Sequence, residues 1–382
     1  MKKTLNYGMV GGDLGAFIGE VHRTAVKFDG RADLVAGCFS TNWDKNERCA
    51  NAYRLDADRT YKDFKDMAEK ESKREDGIDF VTIAAPNYLH YEVAKEFLEK
   101  GISVLCEKPL SFKIEEGETL KALAEKNNLM FAVNYSYSGN NLVKEARELI
   151  KDGYIGEVIN VNAEYLQEWL ADDAGSGKEE MKKLSVWRKD PDYSGISNCV
   201  ADIGTHIDHT VSYITGLHVK KVAAVLDHYG QTLDLNANIL VEFDNGAHGV
   251  FSSSQVCIGH RNGLVVRIFG TEGAIEWVQE NPDRLYVTKK GAPTQIYNRG
   301  MGYLSRRASD MNRLPSGHPE GLYESFANIY KVWIEALLKK ANGEALEAYD
   351  CDFPSIDDGI AGVKFIHACV KSNKNGSVWT SI

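Results

Sequence analysis

The chain has 382 residues, of which 43% are hydrophobic and 26% charged, a composition typical of a globular protein with more than one domain. A formal net charge of −10, without a long Lys/Arg run, argues against nucleic acid or an anionic membrane as the main partner. No stretch approaches about 18 apolar residues, and the basic start lacks an apolar segment, so we expect neither a membrane span nor a signal peptide. The seven cysteines are scattered and never spaced as CxxC, which predicts reduced thiols in a cytoplasmic protein.

The segment 1–134 alternates short strand-like runs with longer helical patterns. The predicted strands are Leu5–Val10, Asp33–Phe39, Asp79–Ala84, Ile102–Cys106 and Leu129–Val133, and the predicted helices are Phe17–Phe28, Asp44–Tyr53, Tyr61–Glu75, Tyr88–Lys100 and Ile114–Asn127. Alternation at this spacing is typical of βαβ units, so we expect an α/β domain with a doubly wound parallel sheet over residues 1–134.

The pattern changes after Asn134, where helical and strand-like runs no longer alternate. The predicted strands are Glu157–Trp169, Val222–His228, Ala237–Phe243, Gly249–Val256, Leu264–Phe269, Ala274–Val278 and Leu285–Thr288, and the predicted helices are Asn141–Asp152, Asp202–Thr215, Pro319–Ala341 and Ile356–Ser372. We therefore expect residues 135–382 to form an α+β domain with a large, mostly antiparallel, open-faced sheet. Apolar runs in that sheet predict a homodimer or homotetramer, because an uncovered apolar face is a liability.

The first predicted strand ends in a glycine-rich loop, Gly11 to Ala16, directly before a helix. Parallel sheets bind ligands at the carboxyl ends of their strands, and phosphates bind at helix N-termini. Gly11 and Ala16 fit the first and third positions of the dinucleotide fingerprint, whereas Asp13 replaces the second glycine. A carboxylate there is unfavourable beside a pyrophosphate unless it points away or bonds to the backbone. The loop predicts dinucleotide binding, and a turn that only packs helix against strand is the alternative.

The end of the second predicted strand bears on the choice between NAD and NADP. An acid at this position binds the ribose 2′-hydroxyl of NAD, but the chain has Phe39, Ser40 and Thr41 there, with no adjacent arginine. Ser40 and Thr41 suit either a hydroxyl or a phosphate, so NADP stays open. The absence of a basic residue directly after them favours NAD.

Two further loops follow strand ends of the same sheet, at residues 84–90 and at Cys106–Pro109. In the second loop a proline comes directly after Lys108. This order predicts a rigid turn, with a cis peptide bond as one option, that aims the lysine at whatever lies above the sheet.

The chain resembles the glucose–fructose oxidoreductase / inositol dehydrogenase / rhizopine-catabolism (Gfo/Idh/MocA) family along its full length. The matching segments are the Gly11–Ala16 loop, Pro86-Asn87-x-x-His90, Glu107-Lys108-Pro109, Asp202-Ile203-Gly204-Thr205-His206 and Asp357-Asp358-Gly359. The segments Gly8–Arg23, Trp187–Pro191 and His318–Gly321 resemble a subgroup of sugar and cyclitol dehydrogenases, some of which act at C3 of glucosides. The resemblance implies an N-terminal Rossmann domain and NAD(P)-dependent hydride transfer to or from a secondary alcohol of a sugar, glucoside or cyclitol.

The resemblance also implies site residues. Those implied to bind the cofactor are Gly11, Gly12, Asp13, Leu14, Gly15, Ala16, Ser40, Thr41, Ala85, Pro86, Asn87, His90, Glu107, Lys108 and Asn134, and those implied to be catalytic are Lys108, Asp202 and His206. The predicted substrate-binding residues are Lys108, Tyr135, Gln167, Trp169, Trp187, Arg188, Asp202, His206 and His318, because aromatic faces and arginine forks suit sugar rings. A core or interface position is the alternative for each aromatic residue.

Oxidation of a secondary alcohol needs a base for the hydroxyl proton beside the nicotinamide. Asp202 and His206 lie four residues apart on a predicted helix, so both project from one face. We expect His206 to take the proton near neutral pH and Asp202 to orient His206 or bind a sugar hydroxyl. Lys108 would hydrogen-bond the reacting oxygen and stabilise developing negative charge. A surface position for His206 is the alternative.

A metal site is another possible interpretation of His206 and His209, with Asp202 and Asp208 nearby in sequence. Three-residue spacing on a helix permits joint ligation. The helix has no further convincing ligand, however, and hydride transfer needs no metal. We therefore expect none.

Two other functions compete with a dehydrogenase. A glycoside-cleaving enzyme on this fold uses bound NAD to oxidise C3 transiently before elimination, and its site residues would overlap. A non-catalytic nucleotide or sugar sensor is the third, and the presence of Lys108, Asp202 and His206 together argues against it, since a sensor needs no acid–base group.

Overall fold

A computed structural model describes residues 2–174 and 190–382. The chain divides into two compact units, Met1–Ser136 with Leu322–Ile360, and Tyr137–Gly321 with Ala361–Ile382. A single boundary near residue 134 therefore captures only part of the division, because a later segment returns to the first unit.

The secondary structure follows the predicted order. The strands are β1 (Leu5–Gly11), β2 (Ala32–Cys38), β3 (Phe80–Ala84), β4 (Ser103–Cys106), β5 (Phe131–Val133), β6 (Val158–Leu166), β7 (Val219–Asp227), β8 (Asn236–Phe243), β9 (His248–Ser254), β10 (Gly263–Gly270), β11 (Gly273–Val278), β12 (Arg284–Lys289), β13 (Gln295–Asn298) and β14 (Thr380–Ser381). The α-helices are α1 (Phe17–Lys27), α2 (Trp43–Tyr53), α3 (Phe64–Glu71), α4 (His90–Glu99), α5 (Ile114–Lys126), α6 (Asn141–Lys151), α7 (Pro191–Ser194), α8 (Thr205–Thr215), α9 (Arg306–Ser309), α10 (Leu322–Ala341) and α11 (Ile356–Lys374).

One predicted helix is much shorter than its pattern. In place of Tyr61–Glu75 the structure has α3, because the side chain of Asp63 accepts a hydrogen bond from the backbone N–H of Lys65 and starts the helix there. The backbone N–H of Tyr61 donates to Gly37 in β2 instead. A side-chain cap and a bond to a distant strand therefore override the local helical periodicity.

The N-terminal unit contains a five-stranded parallel sheet in the order β2-β1-β3-β4-β5. The chain passes from β1 to β2 on one side and then crosses to β3 on the other, where Gly11 pairs with Ala84. The carboxyl ends of β1 and β3 therefore form the topological switch point, at which sheets of this kind bind ligands.

Helix α10 belongs to the N-terminal unit although it lies far beyond the domain boundary expected from sequence. Its residues Phe326, Tyr330 and Trp333 pack in one buried cluster with Tyr7 of β1 and Phe80 of β3. The apolar stripe of such a helix predicts that it is buried, but not which sheet it covers. The tertiary packing decides that.

The C-terminal unit contains a nine-stranded sheet in the order β13-β12-β11-β10-β6-β9-β8-β7-β14. Its strand pairs are antiparallel apart from β6 with β9, which are parallel. Helices α6, α8 and the second half of α11 pack on one face and form a single core with it. The predicted mostly antiparallel, open-faced sheet is confirmed.

The apolar runs in this sheet point to both faces. On β8, for example, Ile239 and Val241 are buried in the core, whereas Leu240 between them is 49% exposed. On the open face Leu240 pairs with Val250 of β9, which is 43% exposed. Much of the apolar character of these runs is therefore accounted for by the core of the same unit.

No helix in the described parts of the chain has the length and apolarity needed to cross a membrane.

Candidate active site

The glycine loop after β1 has the backbone that a dinucleotide requires. Gly11 has a φ of +80°, and a Cβ on it would lie 2.4 Å from the carbonyl oxygen of Ala84. A Cβ on Gly19 of α1 would lie 2.4 Å from the Cα of Gly12. Ala16, the residue before α1, offers no side-chain acceptor to the first N–H groups of that helix. These groups therefore suit a pyrophosphate.

Asp13, which replaces a glycine of the fingerprint, is paired with a cation. Its Oδ2 lies 3.5 Å from Nζ of Lys45, in the first turn of α2. The carboxylate is thus directed toward the helix that follows β2. The neighbouring loop residues Leu14 and Gly15 are exposed at the surface of the unit.

The loop after β2 bears hydroxyl groups and no acid. Ser40 accepts a hydrogen bond from the backbone N–H of Asn42 through its hydroxyl oxygen, and Thr41 is exposed. Asn42 caps α2 by accepting from the N–H of Lys45. The ion pair of Asp13 with Lys45 lies next to this loop.

Glu107, which precedes Lys108 in the loop after β4, is held by buried hydrogen bonds. Its Oε1 lies 2.9 Å from Nε2 of His22 and 2.5 Å from Nδ2 of Asn134. Burial alone raises the pKa of Glu107, but the hydrogen bonds from His22 and Asn134 and the charge of Lys108 outweigh it, so this pKa lies below its usual value. Glu107 is therefore an ionised acceptor inside the unit.

The hydrogen bonds continue from Glu107 to α10. Nδ1 of His22 lies 2.8 Å from the hydroxyl of Tyr330, which in turn lies 3.0 Å from the hydroxyl of Thr82 in β3. We call Glu107, His22, Tyr330 and Thr82 the charged network. It ties the Lys108 turn to α1, α10 and the central strand β3.

The residues beside this network fit a dinucleotide cofactor. The Lys108–Pro109 peptide bond is cis, and Lys108 is partly exposed next to the buried Glu107. Oδ1 of Asn134 is buried without a hydrogen-bond partner in residues 2–174 and 190–382, which leaves an acceptor for a ligand group. The glycine loop and Asn134 lie at the carboxyl edge of the sheet, where the nicotinamide nucleotide binds in such folds.

His90, expected to contact the cofactor, is fully buried. Its Nδ1 lies 2.7 Å from the carbonyl oxygen of Pro109, and its Nε2 lies 3.0 Å from that of Ala85. Both ring nitrogens thus face backbone carbonyls of two cofactor-side loops. The loop that contains Ala85 also contains Pro86 and Asn87. The structure makes His90 a clamp between the loops.

In the C-terminal unit, Asp202 and His206 lie at the junction of two helical segments. Asp202 is in a π-helical turn, Val200–Gly204, and His206 is the second residue of α8. The His206 ring packs edge-on against Tyr137, with centroids 4.9 Å apart. The charge of Asp202 contributes to raising the pKa of Tyr137, after burial, to about 12. Tyr137 thus contacts the His206 ring and lies within the electrostatic influence of Asp202.

A row of polar side chains extends from this tyrosine to the surface. The hydroxyls of Tyr137 and Tyr165 lie 2.5 Å apart, and Tyr165 donates to Oδ1 of Asn262 at 2.7 Å. Gln167 donates to the same oxygen at 2.7 Å and accepts from the half-exposed indole of Trp169 at 2.9 Å. The predicted residues Gln167 and Trp169 are thus connected to His206 through Tyr137, Tyr165 and Asn262.

Of the remaining predicted residues, the structure describes Tyr135 and His318. Tyr135 is buried in the N-terminal unit, and His318 is exposed, with its ring against the carbonyl of Pro315 and its own carbonyl bound by Arg299. Trp187 and Arg188 lie outside the described residues. Their predicted roles in substrate binding stay predictions.

His209, considered above as a metal ligand with His206, packs against a different partner. Its ring stacks on Tyr213, with centroids 6.1 Å apart, whereas His206 packs on Tyr137 and Tyr165. Within the described residues, no group of three or more His, Cys, Asp or Glu side chains is arranged to hold a metal ion.

Residues 5–135 match the family model described as "Oxidoreductase family, NAD-binding Rossmann fold", and residues 143–276 match the GFO/IDH/MocA C-terminal domain. The chain belongs to the Gfo/Idh/MocA family of oxidoreductases. Its N-terminal unit is an NAD-binding Rossmann domain, so the predicted family, fold class and NAD are confirmed.

Family members similar to this chain include proteins that bind cyclitols and sugars. The uncharacterized oxidoreductase YfiI of Bacillus subtilis (strain 168) is 35% identical over 99% of this chain and 97% of its own length. An inositol dehydrogenase homologue from Azotobacter vinelandii, solved with NADH and myo-inositol, is 32% identical, with a TM-score of 0.91 over 100% of this chain and 98% of that chain. Levoglucosan dehydrogenase of Pseudarthrobacter phenanthrenivorans is 30% identical over 55% of this chain and 58% of its own length.

Sequence reasoning missed several side chains that the structure brings to these sites. His22 and Tyr330 join the Glu107 loop from elements distant in the chain, and Tyr137 and Asn262 reach the His206 side from other loops. His22 lies within Gly8–Arg23, a segment that the resemblance covers, and this was its one signal. No local pattern marks Asn262.

Proposed function

We propose that this oxidoreductase uses NAD to transfer hydride between the nicotinamide and a secondary hydroxyl or ketone of a sugar, glucoside or cyclitol, with C3 of glucosides as one such position. The observation that carries the proposal is the setting of His206. A titratable imidazole packs beside Tyr137, at the inner end of a row of hydroxyl and amide groups that reaches the half-exposed Trp169.

That row suits a polyhydroxylated ring. Hydroxyls and amides both donate and accept, so they pair with neighbouring ring hydroxyls, and an indole face packs on the C–H face of a sugar. Two similar proteins support the same substrate class: the A. vinelandii homologue, which was solved with myo-inositol, and levoglucosan dehydrogenase.

In the proposed reaction, His206 accepts the hydroxyl proton of the alcohol, and Asp202 orients the imidazole or binds an adjacent hydroxyl. NAD supplies the acceptor for the hydride that leaves the same carbon. Lys108 donates a hydrogen bond to the reacting oxygen and stabilises its developing negative charge. Lys108 and His206 thus form the acid–base pair.

We also propose that a second copy of the chain covers the open face of the nine-stranded sheet, giving a homodimer or homotetramer. Leu240 and Val250, which are paired and half-exposed, form an apolar contact there. The ion pairs of Arg267 with Glu164 and Glu276 lie on the strands to one side of it, β6, β10 and β11. Light scattering at micromolar concentration tests this proposal: a larger particle that becomes a monomer in Leu240→Glu/Val250→Glu supports it, and a monomeric wild type contradicts it.

The proposed activity is tested with purified protein mixed separately with inositols, free hexoses and glucosides, first without added nucleotide and then with NAD or NADP. We expect the near-ultraviolet absorbance of reduced nicotinamide to grow with one ligand class. The rate should fall about 10²–10⁴-fold in Lys108→Ala and in His206→Asn and stay unchanged in His218→Asn, which replaces an exposed histidine of the same unit.

Absence of the band with every ligand and both nucleotides would exclude the dehydrogenase. Release of an aglycone from glucosides without net reduction would instead identify the glycoside-cleaving reaction.

A further inference from the structure

A second set of buried polar side chains, separate from the row of tyrosine hydroxyls, is hydrogen-bonded to Asp202. Gln255, which directly follows β9 and is fully buried, donates from Nε2 to Oδ2 of Asp202 at 3.0 Å. Its Oε1 accepts from Nδ2 of Asn198 at 2.6 Å. Asn198 in turn bonds to Asp234, a buried acid between β7 and β8. We call Gln255, Asn198 and Asp234 the amide network.

The orientation of the two amides follows from a backbone atom. The main-chain carbonyl of Asp234 can only accept, so the Asn198 atom that faces it at 3.3 Å is Nδ2. The other hydrogen of that NH2 group points to Gln255, which must therefore present its oxygen. This leaves the NH2 group of Gln255 to face Asp202, where it can only donate.

Asp234 anchors the network to the π-helical turn that carries Asp202. Its Oδ1 accepts from the backbone N–H of Asn198 at 2.9 Å, and its Oδ2 accepts from that of Val200 at 3.0 Å. The backbone N–H of Gln255 donates to Leu235 in the same connection. Position of the turn and orientation of the amides are thus set by the same residues.

From this geometry we infer that Gln255 is a positioning residue, which holds the carboxylate of Asp202 ionised and in one orientation beside His206. The functional part of the inference rests on the proposed dehydrogenase. Because Nε2 of Gln255 can only donate, it favours the ionised carboxylate of Asp202 over the protonated acid. A carboxylate held in one orientation can orient the His206 imidazole or the substrate hydroxyl from which His206 takes the proton.

Within residues 2–174 and 190–382, the charge of Asp202 acts on Tyr137, on Tyr165 of β6 and on Cys199 in the same helical segment, and Asp234 is linked to Asp202 through Asn198 and Gln255. His206 lies one helical turn further along the chain. Burial raises the pKa of Tyr165 and that of Cys199 well above their ordinary values, and raises that of Tyr137 to about 12. These three stay neutral between pH 5 and 9, roughly the range of a rate profile.

Two variants of nearly equal size separate positioning from packing. In Gln255→Met the donor is lost, Asp202 is protonated at higher pH, and the ratio of variant to wild-type kcat/KM falls as pH falls. In Gln255→Glu two carboxyl groups share one proton, which restores the wild-type arrangement at low pH, so the ratio falls as pH rises. We expect each ratio to change about tenfold across the profile. Gln255→Glu, the more conservative variant, should therefore regain activity at low pH.

A readout without turnover comes from the ¹³C carboxyl resonance of Asp202, assigned by its loss in Asp202→Asn. Its titration midpoint should move up by about one pH unit in Gln255→Met. Asn141→Leu is the matched control, since it deletes a buried amide of the same unit that bonds to Ala308 and Asn312. Asn141→Leu should lower stability and leave the ratio of variant to wild-type kcat/KM independent of pH.

Equal losses at every pH in both variants, with an unmoved midpoint, would overturn the inference and leave the dehydrogenase intact. A moved midpoint in a protein that oxidises no polyol would refute the proposed function and support the positioning of Asp202. If Gln255→Met fails to fold, Gln255→Glu decides by the sign of its pH dependence.

Discussion

The N-terminal unit holds the turn that carries Lys108 through a charged network, whereas the C-terminal unit holds Asp202 through an amide network. In the first, a carboxylate bonds directly to a histidine. In the second, two neutral amides separate the carboxylates of Asp202 and Asp234. The two amides do not titrate, and a main-chain carbonyl sets their orientation, so the titratable groups of the second network are the carboxylates at its ends. In the first, ionisation of Glu107 is part of the anchor.

The largest expected effect comes from removing the carboxylate that the amide network holds. Asp202→Asn should lower kcat/KM for hydride transfer about 10²–10⁴-fold, because a neutral amide orients the imidazole poorly. Stability should change by less than about 1 kcal/mol, since the new amide oxygen still accepts from Gln255. Rates of nicotinamide reduction and urea unfolding measure the two effects, and a large stability loss with unchanged kcat/KM would reverse the assignment.

Glu107→Gln breaks the charged network and should cost about 1.5–3 kcal/mol of unfolding free energy at pH 7, because the bond from His22 loses its charge. The pKa of Glu107 is lowered in the folded state. Its ionisation therefore stabilises the fold above the unfolded-state pKa and loses that contribution as pH falls through the folded-state pKa.

The difference in unfolding free energy between wild type and Glu107→Gln should consequently shrink below about pH 4.3, the ordinary pKa of a glutamate. Urea unfolding at pH 7 and pH 4 measures it, with Glu125→Gln on the exposed side of α5 as the control. A difference that is the same at both pH values would show that charge is not the source of the stabilisation.

Tyr330→Phe tests how far the charged network extends. The ring stays packed in its cluster, but Nδ1 of His22 and the hydroxyl of Thr82 lose their partner, at a cost of about 1–2 kcal/mol. Combined with Glu107→Gln, it should show a coupling energy of about 0.5 kcal/mol or more by urea unfolding. Additive losses would mean that the two ends act separately.

The smallest effect concerns the exposed pair of Asp13 and Lys45, which contrasts with both buried networks. Asp13→Asn should leave Lys45 unneutralised near the loop that follows β2 and strengthen NADPH binding relative to NADH by about 0.5–1 kcal/mol, a factor of about two to five. Nucleotide fluorescence titrations measure the ratio of the two dissociation constants. An unchanged ratio would remove this pair from cofactor selection.

Several features of the N-terminal site could be predicted from sequence because they are local. The glycine loop and the Lys108–Pro109 turn are each encoded within a few residues of the strand end that carries them. The spacing of Asp202 and His206 likewise predicts one helical face; His206 packs on Tyr137, and the charge of Asp202 acts on the same tyrosine. The π-helical turn at Asp202 was not predictable, because Asp234, beyond α8 and β7 in the chain, bonds to its start.

The sequence alone determined the family, the parallel and the mostly antiparallel sheet, and the residue types available for hydride transfer, since periodicity and motif spacing express all of these. Only the tertiary structure decided that α10 covers the first sheet, that His90 clamps two loops, and that Gln255 bonds to Asp202. The physical reason is that a buried amide or imidazole is defined by the partners that satisfy it. Those partners come from elements that only folding brings together.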